Sequence, residues 1–178
     1  SEHTALLSGG SLAGNADLRQ TTEGLWEIQG DPTEAAFLVA EHKLGAQAQR
    51  GARFERFDEV PFTSDRKMMS VLARDREQGN TSVLVIKGAP DVLLARCTHV
   101  RVGDSVEPLT PERRAKALAH VEELSQAALR TLAVAYRPIA ADEDLRSGHA
   151  LEEKLIFAGT AGIIDPPREE AADAIQKA

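Results

Sequence analysis

Cys97 is the only cysteine in a chain of 178 residues, so no internal disulfide can form, and no Cys/His group has the spacing of a zinc site. This suits a reducing compartment. No stretch approaches the ~20 consecutive apolar residues that carry a helix across a bilayer. Positive charge is in deficit, with 21 Lys and Arg against 28 Asp and Glu and a formal net charge of −7. That balance argues against a general nucleic-acid binder, whose affinity comes from neutralising phosphates. It leaves room for one anionic small ligand held by a few local cations. The Gly-x-x-x-x-Gly-Lys-Ser/Thr phosphate loop, the Gly-x-Gly-x-x-Gly loop and His-Glu-x-x-His are all absent. His3, His42, His99, His120 and His149 are scattered and read as surface or packing residues. No carboxylate pair stands out as an acid/base dyad, and no residue stands out as a catalytic nucleophile or metal ligand. Asn80-Thr81-Ser82 has the form of a glycosylation acceptor but sits where a turn is expected.

Apolar residues, 42% of the chain, recur along its whole length, enough for one disulfide-free core. Residues 1–24 are rich in Gly, Ser, Thr and Asn and show no clear period. Leu25 to Ile28 alternates like a short strand. Gly30-Asp31-Pro32-Thr33-Glu34 has the chemistry of a helix start: Asp31 can cap, Pro32 fits the first helical position and Glu34 can reach back to the cap. Strands are expected at 54–60, around 69–74 and at 82–87, with Gln78-Gly79-Asn80 as the turn of an antiparallel hairpin. Pro90-Asp91 begins a short helix. Thr110-Pro111-Glu112 begins a longer one, with Leu118, Val121 and Leu124 on one face. Thr131 to Arg137 reads as a strand closed by Pro138, and Leu155 to Ile164 as another, stopped by Asp165-Pro166-Pro167. Five or six strands with a central hairpin predict an α+β fold with a mainly antiparallel sheet flanked by helices. Arg168 to Ala178 has helical spacing, with Ala171, Ala174, Ile175 and Ala178 on one stripe and acids in the first turn. The chain reads as a piece of a longer protein.

Five segments in a fixed order carry a resemblance. They are Gly30-Asp31-Pro32-Thr33-Glu34, Pro61-Phe62-Thr63-Ser64-Asp65-Arg66-Lys67-Met68-Met69, Lys87-Gly88-Ala89-Pro90-Asp91, Leu129-Arg130-Thr131-Leu132-Ala133 and Asp165-Pro166-Pro167-Arg168. Together they resemble the nucleotide-binding domain of a P-type cation-transporting ATPase, of the type II group that includes the calcium pumps. The likeness runs from about Gly30 to the end. It implies that residues 1–164 form the nucleotide-binding domain. Residues 165–178 would then be the hinge and first helix leading into a phosphorylation domain. It also implies that the domain binds ATP and presents the terminal phosphate to an aspartate in that other domain. That aspartate lies in an Asp-Lys-Thr-Gly-Thr motif, which does not occur here. The chain alone would therefore not be catalytic, although the parent pump is an ATP-driven cation translocase. Implied partners are ATP and the phosphorylation and actuator domains, with no nucleic acid and no direct membrane contact. Magnesium would come with ATP and be ligated mainly outside these residues. The implied location is the cytoplasmic side of an integral membrane protein.

The resemblance also assigns residues. Phe62 matches the aromatic that stacks on adenine, where a flat apolar ring buries against the base. Lys67 matches a lysine on the phosphate side, and Lys87 one that lines the floor of the adenine pocket, with Gly88 acting through its backbone. Glu34 matches an acid on the adenine side, where a carboxylate can accept from the exocyclic amine; the capping box is its alternative. Arg130 matches an arginine whose guanidinium can bind two phosphate oxygens at once. Ser64 falls where the calcium-pump pattern often has a phosphate-directed arginine, and brings no charge. Arg66, two positions on, is expected to share the strand face of Ser64 and partly to replace that arginine. A stacked base and a few exposed cations suggest a dissociation constant on the order of 0.1–1 mM. Two other readings stay open: an interaction domain with weak or lost nucleotide binding, and a self-sufficient ATPase or phosphotransferase, which the missing nucleophile and phosphate loop disfavour.

Overall fold

A computed structural model describes residues 9–11, 17–20, 26–29, 37, 39, 40, 43, 45, 47–145 and 150–163. The centre of the fold follows from residue type. Met68–Asp75 (β4) and Thr81–Gly88 (β5) are rich in β-branched and other apolar residues and pair antiparallel from Met68 opposite Gly88 to Asp75 opposite Thr81. Their loop is a 3-10 turn at Arg76–Gln78, capped by the Asp75 carboxylate and followed by Gly79 and Asn80 at φ of 68° and 58°. Both residue types tolerate this left-handed backbone. The hairpin is the one expected.

Phe54–Val60 (β3), Arg130–Ile139 (β8) and Leu155–Ile163 (β9) join it, with Cys97–Val102 (β6) and Ser105–Pro108 (β7) at the far edge. The seven strands are ordered β3-β4-β5-β8-β9-β6-β7, and every pair is antiparallel except β6 with β9. Asp17–Gln20 (β1) and Trp26–Gln29 (β2) form a separate antiparallel pair. The described helices are Gln47–Arg53 (α1), Pro90–Ala95 (α2) and Pro111–Gln126 (α3). The fold is α+β with a mainly antiparallel sheet, as predicted.

Side chains alternate between two apolar layers. Met68, Leu72, Leu84, Ile86, Ala133 and Ala135 face α2 and its Leu93 and Leu94. Met69, Val71, Ala73, Val85 and Val134 face Phe37, which lies in helical backbone. Both faces of β4 are covered, so its residues 68–73 are all buried. Cys97 opens β6 in the first layer; burial pushes its thiol up to about 12, against the pull of Arg114.

Three expectations are corrected. Nine strands are described rather than five or six; β1, β6 and β7 are short and rich in polar residues, so they carry little hydrophobic signal. Pro138 does not close β8 but lies inside it, opposite Val83 and one residue from the end. There its missing N–H removes at most one ladder bond. The stripe of α3 is narrower than expected: Val121 and Leu124 are half-buried, but Leu118 is 44% exposed. The expected strand at 155–164 is described from Leu155 to Ile163, and Ile164 lies outside the described residues. The helix start at 30–34 and the segment 165–178 lie outside the described residues.

Candidate functional site

Antiparallel register gathers the expected residues at one end of the sheet. Val60 ends β3 opposite Ser70, Met68 begins β4 opposite Gly88, Gly88 ends β5 opposite Ala133, and Arg130 begins β8 opposite Ile163. Phe62 is two residues past β3, Ser64, Arg66 and Lys67 lie in the connection to β4, Lys87 and Gly88 close β5, and Arg130 opens β8. Four adjacent strand ends, of β3, β4, β5 and β8, therefore present residues drawn from the stretch Phe62 to Arg130. Glu34 lies outside the described residues.

The connection from β3 to β4 is a single helical turn that does not continue. The Lys67 amide donates to the Thr63 carbonyl at 2.8 Å, and the Arg66 amide to Thr63 Oγ1 at 3.2 Å. Lys67 then takes a left-handed backbone, φ 55°. Such a conformation in a non-glycine residue is strained and is held by its surroundings. Here the Lys67 carbonyl accepts from the Ala89 amide at 2.9 Å. Phe62, Ser64 and Lys67 are exposed, and Phe62, at 56%, is among the largest apolar side chains left in water. An exposed phenylalanine can take a flat apolar partner, and an exposed lysine in the same connection can take an anionic group.

Lys87 differs. It is 4% exposed and points into the layer that contains Phe37, its Nζ 5.6 Å from the ring centroid. A buried ammonium needs compensation, and the negative face of an aromatic ring supplies part of it. The ammonium sits one residue before Gly88, where a Cβ would lie 2.6–2.7 Å from Met68 atoms and against the Lys67 carbonyl. Only a glycine lets β4 and β5 close together beneath the turn.

Arg66 does not share a strand face with Ser64, because residues 64–66 form a turn rather than a strand. Its guanidinium runs inward: Nη2 and Nη1 donate to the Glu152 carboxylate at 2.8 and 3.1 Å. Ser70 Oγ donates to the same carboxylate at 2.7 Å. Sequence reasoning missed Phe37, Ser70 and Glu152. Glu152 next to Glu153 looks like an ordinary solvated acidic pair, and no local pattern marks one of the two as buried. Among the described residues, no three His, Cys, Asp or Glu side chains gather as a metal-ligand set, and no helix is long and apolar enough to cross a membrane.

The family model for the P-type ATPase cytoplasmic domain N matches residues 2–170. The chain is 38% identical over 169 residues to a calcium-transporting ATPase of Bacillus subtilis, an alignment covering 94% of this chain and 18% of that protein. It is 40% identical over 153 residues to calcium-transporting ATPase 1 of Lactococcus lactis, covering 85% and 17%. It is 30% identical over 171 residues to the human calcium-transporting ATPase type 2C member 2, covering 96% and 16%. The chain thus spans less than a fifth of the length of these relatives. A mainly antiparallel α+β sheet, the ordered motifs at its strand ends and a match over nearly all 178 residues agree that this chain belongs to the cytoplasmic N domain family of the P-type ATPases.

Proposed function

We propose that this domain holds ATP by its adenine and presents the terminal phosphate to an aspartate in a separate phosphorylation domain of a cation pump. The carrying observation is the register that brings Phe62, Lys67, Lys87, Gly88 and Arg130 to neighbouring strand ends. Phe62 stacks on the base. Lys87 and Gly88 form the floor beneath it, and Glu34 offers a carboxylate to the exocyclic amine. Lys67 and Arg130 neutralise the phosphate tail. Arg66 is left out of the phosphate set, because both of its Nη groups bond to Glu152. Magnesium travels with ATP and takes its ligands mainly from the phosphorylation domain, so the domain's own residues bind and orient rather than react. The names of the relatives make calcium the cargo we assign to the parent pump, with this domain on the cytoplasmic side of the membrane.

An amide chemical-shift titration with ATP tests the reading. Shifts should cluster at Phe62, Lys67, Lys87 and Arg130, with a dissociation constant on the order of 0.1–1 mM. Phe62→Ala should cost about 1–3 kcal/mol, the scale of a lost base-stacking aromatic. Exposed Ser64, uncharged where the family pattern often has arginine, favours the interaction-domain reading. Scattered or absent shifts at high millimolar ATP would select that reading instead.

A further inference from the structure

Glu152 is fully buried, and among the described residues its carboxylate accepts two hydrogen bonds from Arg66 and one from Ser70 Oγ. Removing a carboxylate from water costs several kcal/mol, and such a buried pair often adds no net stability over an apolar replacement. Its effect here is on position. Arg66 belongs to the exposed turn between Phe62 and Lys67, while Glu152 precedes β9, 86 positions away in sequence. The Glu152 segment is itself tied down. Arg96 Nη1 donates to the Glu152 carbonyl at 3.2 Å, the Leu155 amide donates to the Arg96 carbonyl at 3.0 Å, and Arg137 Nη1 donates to the Leu151 carbonyl at 2.8 Å. Within the turn, the Thr63 bonds set its shape, and the Ala89 amide holds its β4 end through the Lys67 carbonyl. The Arg66–Glu152 pair supplies a second anchor, on the layer opposite Lys87 and Phe37.

We propose that Glu152 is a positioning residue of the nucleotide site: through Arg66 it fixes the 63–67 turn, so that Phe62 and Lys67 stand pre-arranged for the base and the phosphates. This rests on the nucleotide-binding reading above. Pre-arrangement lowers the ordering cost that binding otherwise meets. The charge of Arg66 then acts inward, and losing the anchor weakens base and phosphate contacts together.

The test compares wild type with Glu152→Gln, Arg66→Lys and Asp75→Asn. Asp75→Asn disrupts an ion pair at the opposite end of β4 and controls for lost stability. Each is titrated with ATP and with adenosine, and amide hydrogen exchange is followed at Lys67, Ala89 and, for reference, Val71. Glu152→Gln and Arg66→Lys should weaken both ligands by a similar factor, about tenfold, as a displaced contact group does, while Asp75→Asn changes either by less than about twofold. Exchange at Lys67 and Ala89 should quicken relative to Val71. Unchanged affinities in Glu152→Gln, or exchange that rises equally at all three amides, overturns the proposal. A loss in Arg66→Lys confined to ATP also overturns it, by making Arg66 a phosphate ligand. If wild type binds neither ligand, the nucleotide reading fails, and the exchange ratio alone decides whether Glu152 holds the turn. Arg66→Lys keeps a cation beside the carboxylate, so it supplies the comparison should Glu152→Gln not fold.

Discussion

Gly88 shows how little freedom single residues have at this strand end. A methyl group there meets backbone and Cβ of Met68 and the Lys67 carbonyl, none of which is a flexible side-chain tip. Gly88→Ala should therefore push β4 and β5 apart where the turn is seated. We expect a destabilisation of about 1–3 kcal/mol, the usual scale for overpacking, with nucleotide affinity falling as well. Urea denaturation and an ATP titration of the same variant check both, and unchanged values in both would show that the strands can give. That Phe62 follows a strand, that Lys87 and Gly88 close one and that Arg130 opens one was legible in the sequence, because apolar runs and turn residues flank them. The direction of Arg66 was not, because a motif fixes residue types and leaves open which cation turns in. Glu152 gave no local sign, since its burial depends on a partner 86 positions away.

Between α1, β4 and the hairpin turn, one carboxylate joins three elements. Asp75 accepts from Arg53 Nε at 2.9 Å and Nη2 at 2.7 Å, and from the Glu77 amide at 3.1 Å. Burial works to raise its pKa, but the Arg53 hydrogen bonds and charge, with the Glu77 and Gln78 amides, prevail and hold it below the usual carboxylate range. The same pair raises Arg53, mainly through the hydrogen bond to Asp75. A depressed carboxylate binds its proton more readily in the unfolded chain, so it stabilises the fold above its unfolded value and loses that effect as pH falls toward the folded one. Wild type should thus lose urea resistance below about pH 4 more steeply than Asp75→Asn. Parallel acid profiles would assign the sensitivity to other carboxylates. The hairpin carrying this pair was legible because alternating apolar residues flank a Gly-Asn turn. The strands β6 and β7 were not, because Thr98, His99, Ser105 and Glu107 dilute their apolar signal to that of a loop. Pro138 misled for a related reason: proline excludes central ladder positions but is tolerated near a strand end.

Across the molecule, β5 and β8 are neighbours in the sheet, although α2, β6, β7 and α3 separate them in sequence. The proposed site therefore requires β5 and β8 to have paired across that insertion, and ligand binding should report on folding of the sheet. At the proposed dissociation constant of 0.1–1 mM, about 10 mM ATP should add roughly 1.4–2.7 kcal/mol to the unfolding free energy, because such a ligand binds the folded state alone. Urea curves with and without ATP measure this, and coincident curves would argue against nucleotide binding. The fold class was legible from a hairpin and short helices. The strand order was not, because it depends on pairing between segments with no shared local pattern.

The parallel seam between β6 and β9 begins at Cys97 opposite Leu155, with the thiol enclosed and strongly disinclined to ionise near neutrality. Thiol reagents attack the thiolate, so alkylation waits for moments when that seam parts. With one sulfhydryl in the chain, the mass added over time becomes a clock for the opening of that margin alone, readable without any engineered label.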